Sequence, residues 1–91
     1  MTGKYMRSIH NNHFIVDDKD NFIQMTNKTG NKDIFDNLNC GDEIKITHDL
    51  IRELYPLSTK VYSCKLIKTG NINNIDTDEY YLLELLEQQG F

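Results

Sequence analysis

Alternation of apolar and polar positions dominates the chain as far as residue 68 and then gives way to a helical repeat. Residues 5–10 (YMRSIH) read as a strand. Asn11-Asn12 reads as a two-residue turn that tolerates positive φ, and residues 13–17 (HFIVD) as a second, more apolar strand. A polar break at residues 18–21 precedes a third strand over 22–26, with Ile23 and Met25 on one face and Gln24 and Thr26 on the other. Residues 27–32 form a turn cluster. Ile34, Phe35 and Leu38 then fall at the spacing of a short helix or tight connector, which Asn39-Cys40-Gly41-Asp42 ends.

Residues 43–48 carry the clearest strand pattern, with Ile44 and Ile46 inward against Lys45 and Thr47 outward. Residues 50–55 have apolar positions compatible with a turn and a half of helix. Pro56 biases Tyr55 toward extended backbone, so this segment stays open between the two. A strand resumes over 59–68, with Tyr62, Cys64 and Leu66 sharing a face and Cys64 a small core residue. The last segment predicts a helix. Asp76 and Glu79 form a capping box, Asp78 adds charge to a first turn that favours it, Tyr81, Leu82, Leu85 and Leu86 make an apolar stripe, and Gly90 ends it. A strand over EYYLLELL would put leucines on both faces.

Length confines these elements to one domain: 91 residues support a single small core, divided into a β-barrel over about 1–70 and an appended helix over about 76–90. Three strands, a short connector and two strands are the order of an OB-type barrel, so the expected fold is mainly β with a C-terminal helix, a small five-stranded OB-like barrel. Composition adds little to that. Alanine and tryptophan are absent, Lys outnumbers Arg eight to two, and Asn and Ile occur ten times each, a bias that points to an AT-rich genome. Charge changes the picture more. The net charge of -4 resolves into -5 over residues 76–91 and +1 over the first 75, so acidity belongs to the helix. A whole-chain grip on a phosphate backbone is disfavoured, although a local basic patch is not.

Candidate chemistry is sparse. Cys40 and Cys64 have no CxxC context, and no secretory signal or long apolar run occurs, which leads to the expectation of a cytoplasmic protein with two reduced thiols and no membrane association. His10 and His13 have an H-x-x-H spacing that Cys40, His48 and Cys64 could complete. Without paired knuckles they read as exposed turn-flanking histidines, and no metal or cofactor is expected. Residues 17–21 resemble a calcium loop, but Phe22 and Ile23 fall where an oxygen ligand and a glycine are needed, leaving a solvated turn. No nucleophile–base constellation occurs, so no catalytic residues are assigned and the chain is expected not to be an enzyme.

Two surfaces remain as candidates. Lys4, Tyr5, Arg7, His10, Phe14, Lys28 and Lys32 interleave cations and aromatics on the first three strands, as a single-stranded nucleic-acid platform would. The alternative assigns Tyr5 and Phe14 to the core and the cations to a solvated face. The acidic helix offers Asp78, Glu79, Tyr80, Leu83, Glu84 and Glu87 as a protein-docking surface, or its leucine stripe simply covers an open end of the barrel. A third class, a small enzyme or thiol sensor, requires an exposed, activated Cys40 or Cys64.

The stretch from Leu38 through Gly41-Asp42 into the alternating strand at 43–46, followed by Glu53-Leu54-Tyr55-Pro56 and a closing strand over 61–67, resembles the YobA-like small bacterial domains of unknown function. The hairpin over 4–17 occupies the place of that family's opening strands. The resemblance covers residues 4–69 and implies an OB-like five-stranded barrel. It transfers no catalytic residue, and the acidic helix lies outside it. The leading expectation is a non-enzymatic binding or regulatory module, a small bacterial or phage-encoded protein acting through a protein partner. Single-stranded nucleic-acid binding is the alternative.

Overall fold

A computed structural model describes residues Met1–Phe91 as strands β1 (Thr2–Arg7), β2 (His13–Val16), β3 (Phe22–Asn27), β4 (Glu43–His48) and β5 (Leu57–Lys68), a single 3₁₀ turn (Ile72–Asn74) and helix α1 (Thr77–Gln88). The strands close into a barrel in the order β1-β2-β3-β5-β4. Every pair is antiparallel except β3 with β5, which run parallel from Ile23–Leu57 to Asn27–Val61. A three-strand meander whose third strand borders the fifth is the Greek-key closure of an OB-type barrel, so the expected fold class holds. No helix is long and apolar enough to cross a membrane.

Strand alternation divides the apolar residues into two cores. Tyr5, Ile15, Ile23, Met25, Ile44, Ile46 and Val61 point into the barrel, joined by Phe35 and Leu38 from the connector. Met6, Phe14, Val16 and Phe22 point outward from β1, β2 and β3 and are buried by Ile75, Leu83 and Leu86. The helix therefore does not cover an open end of the barrel. It lies on the outer face of the opening meander, while Phe35 and Leu38 fill the interior from the connector. Each large side chain sealed this way contributes roughly 1.5–3 kcal/mol.

Gly41 and Asp42 lock the start of β4 to the end of β5. Gly41 has φ 99°, and a side chain there would strike the Asn71 backbone. Asp42, almost fully buried, accepts the Asn39 N–H at 2.8 Å and the Gly70 N–H at 2.8 Å. A carboxylate between two turns satisfies donors that would otherwise be buried unpaired.

Several local expectations change. The first strand ends at Arg7, and residues 8–12 form a wider loop than Asn11-Asn12, although Asn11 does take φ 63°. Ser8 N–H closes that loop on Asn12 O at 2.9 Å, and the Ser8 and Asn12 side chains anchor it by both donating to the Phe91 carbonyl. The connector is a series of tight turns, with Asp36 N–H to Asp33 O at 3.0 Å and Leu38 N–H to Phe35 O at 3.2 Å. Residues 50–55 form no helix: Arg52 bridges Ser58, with Arg52 N–H to Ser58 O at 2.7 Å, and the chain bends at 54–56. In β5 the phase slips twice: opposite β4, Tyr62 and Ile67 are skipped in the register. Thr59 and Val61 face inward before the first bulge and Cys64 after it, so Tyr62 stands outside instead of sharing a face with Cys64.

Candidate functional site

The C-terminal segment occupies the face that OB barrels use for nucleic acids, the outer surface of strands 2 and 3 with the loops flanking it. Its start is the capping box read from sequence: Asp76 accepts the Glu79 N–H and Glu79 accepts the Asp76 N–H at 2.9 Å. The same Glu79 carboxylate takes the Lys4 ammonium at 2.6 Å, with the two side chains 4% and 27% exposed. One buried acid thus caps the helix and pins it to β1. At the other end Glu87 accepts the Ile9 N–H at 2.6 Å.

This arrangement dismantles the stacking platform expected on the first three strands. Tyr5 is inside the barrel and Phe14 beneath the helix, both fully buried, and Lys4 is committed to Glu79. Arg7 donates to the Tyr5 hydroxyl at 2.9 Å and to the Phe35 and Leu38 carbonyls. Only His10, Lys28 and Lys32 are exposed. The expected docking face on α1 divides likewise. Asp78 and Glu84 are exposed, but Glu79 and Leu83 are buried against the barrel, Tyr80 is half-buried and Glu87 holds the 8–12 loop. The inward stripe runs through Glu79, Leu82, Leu83 and Leu86, and Tyr81 is outside it at 61% exposure.

A polar cluster closes the barrel beside Phe35. The Tyr5 hydroxyl lies 2.6 Å from His13 Nδ1, and because Arg7 already donates to that oxygen, the hydroxyl proton goes to a neutral His13. Burial pushes Tyr5 up to about 12, opposed by Arg7. Burial, then the Arg7 charge, lowers His13 from its ordinary value. His13, expected as an exposed turn-flanking residue, is half-buried with its ring 4.9 Å from that of Phe35, whereas His10 is exposed. Cys40 and Cys64 are unpaired thiols, and burial pushes Cys64 up, away from reactivity.

Asp20, Asp76 and Glu79 place carboxylate oxygens within 4.8 Å of one another. Two of those groups, Asp76 and Glu79, already act as helix-cap acceptors, and Lys4 offsets the charge of Glu79. Asp20 is pushed up by loss of water and by Asp76, Glu79 and Asp78. Asp17 organises the neighbouring turn by accepting the Lys19 and Asn21 N–H groups, each at 2.9 Å.

The apolar concavity lies elsewhere, between the β4–β5 loop and the helix. Phe22, Leu54, Tyr55, Pro56, Leu82 and Leu85 line a groove of about 230 Å³. Leu54 and Tyr55 are 74% and 68% exposed, and the Tyr55 ring stands edge-on to Phe91 at 6.2 Å. The volume falls below the roughly 300–1,000 Å³ of small-molecule sites and suits side chains of a larger partner. Sequence reasoning missed the groove. Its signal was an apolar loop segment, Leu50-Ile51 and Leu54-Tyr55, with neither strand alternation nor a buried helical role.

The site and fold define a five-stranded OB-like barrel whose outer face at β1, β2 and β3 is sealed by its own helix and whose apolar groove is open. No family model, curated protein or solved structure matches the chain.

Proposed function

We propose that this chain is a non-enzymatic binding module that takes a protein partner in the groove formed by Leu54, Tyr55, Leu82 and Leu85. The carrying observation is the exposure of Leu54 and Tyr55 beside a half-buried leucine pair, all four lining one concavity. Aromatic and apolar anchors at the centre of a patch dominate protein–protein affinity. Tyr5, His13 and Arg7 line neither the Leu54–Leu85 groove nor the polar cavity beside Lys4 and Asp17 nor the one beside Ile9 and Glu84. Two unpaired cysteines support a cytoplasmic setting. We keep the resemblance of residues 4–69 to YobA-like domains as a proposal only, with no role attached to it.

The alternative, single-stranded nucleic acid on the first three strands, has lost its support there. Both aromatics meant for stacking are buried and Lys4 is paired. A double variant, Leu54→Asp with Leu85→Asp, tests the leading reading. In its native extract the protein is expected to co-migrate with a partner on size exclusion, and the double variant to elute alone with unchanged circular dichroism. Co-migration untouched by both charges would remove the groove from function.

A further inference from the structure

The second half of β5 is an open strand edge. Met1 and Ile46 exchange backbone hydrogen bonds, Met1 N to Ile46 O and Ile46 N to Met1 O, so Ile46 directs its peptide groups to the N-terminus and Lys45 and Thr47 direct theirs to β5. Lys65 and Ser63, their partners across the ladder, therefore face β4. By the same alternation, Cys64 and Leu66 turn their N–H and C=O groups away from it. On that side β3 reaches only Val61, and no backbone hydrogen bond outside the ladders involves residues 62–68.

Charge marks the same ribbon. Lys45 and Lys65 are directly opposite across the ladder on the outer face, with Lys68 opposite Glu43 further on. Like charges placed opposite one another destabilise a sheet. None of these lysines has a carboxylate in ion-pair contact, the two ion pairs being Lys4–Glu79 and Arg52–Asp49. On the inner face Leu66 remains 46% exposed beside half-buried Cys64. A second copy docking edge to edge would bring Lys65 and Lys68 against themselves, which the charges oppose.

We propose that β5 accepts an acidic, extended segment of a partner protein as an added strand. Backbone groups of Cys64 and Leu66 supply the ladder, acidic side chains of the partner neutralise the Lys45–Lys65 doublet, and its alternate apolar side chains cover Leu66. This is strand addition with specificity set by alternating side chains. It extends the protein-binding reading to a second surface, separate from the Leu54–Leu85 groove.

The test is an NMR titration with a short peptide alternating glutamate and valine, alongside a lysine–valine peptide and oligothymidylate. Expected are slowed hydrogen exchange at the Cys64 and Leu66 amides with the acidic peptide alone, and an affinity that weakens with salt. Lys45→Glu with Lys65→Glu should weaken that peptide at least about tenfold and admit the lysine–valine peptide instead. Leu66→Pro removes an edge N–H that the barrel does not use, so it should fold and fail to bind. Binding with no protection at Cys64 and Leu66, or binding of oligothymidylate in preference to the acidic peptide, would overturn the proposal. The peptide titration does not involve the groove, so Leu54→Asp with Leu85→Asp should leave it unchanged and the two readings fail separately.

Discussion

Replacing Lys4 with methionine removes the ammonium from Glu79 while keeping an unbranched side chain over Met6 and Val16. The contact is 2.6 Å long and Glu79 is 4% exposed, so its carboxylate would be left buried with only the Asp76 N–H. Charged hydrogen bonds contribute about 1.5–3 kcal/mol and fully buried pairs cost about 3–5 when broken; the partial exposure of Lys4 places the loss near 2 kcal/mol. Glu79→Gln should cost less, because the amide oxygen still caps the helix and the charge left unpaired, Lys4, is partly exposed to water. The double variant should recover part of the loss, giving a coupling of about 1.5 kcal/mol. Urea unfolding measures all four proteins, and with a slope near 1 kcal/mol/M the Lys4→Met midpoint should fall by about 2 M. A coupling under about 0.5 kcal/mol, the range of exposed pairs, would refute the claim that this contact pins the helix.

Three further outcomes are expected. His13 is neutral when folded and its depressed pKa lies below the usual 6.5, so stability present above that value should be lost as the pH falls through it; Tyr5, held up at about 12, should cost stability as the pH rises above 10. His13→Gln should flatten the acid limb in a urea series. Gly70→Ala would drive a methyl into the Gly41 carbonyl and should destabilise by about 1–3 kcal/mol, read as a lower thermal midpoint. Phe14→Ala should cost about 3–5 kcal/mol and release the helix, seen as faster exchange at Leu83 and Leu86.

Much of the fold was legible because simple physics governed it. The strand at β4 alternates since one face is buried, and Asp76 with Glu79 states the helix start outright. What escaped was long-range. Bulges at Tyr62 and Ile67 insert a residue without altering composition, so the inward phase of β5 could not be read past Val61. The buried stripe of α1 includes Glu79, and a charge inside that stripe shifts the apparent phase toward Tyr81. One signal was available and unused. Phe14, Ile15 and Val16 form an unbroken apolar run, as a strand covered on both faces does, and all three are buried. That run implied a cover over β2, and so a sealed outer face of the opening meander.

The groove is the centre of the account, and a photoreactive side chain placed at Leu54 tests it most directly, with a second placed at Thr29 as control. Cross-linking in native extract should give one protein adduct from position 54, abolished by Leu85→Asp and absent from position 29. Equal adducts from both positions, or an adduct that survives Leu85→Asp, would contradict a partner seated between Tyr55 and the helix.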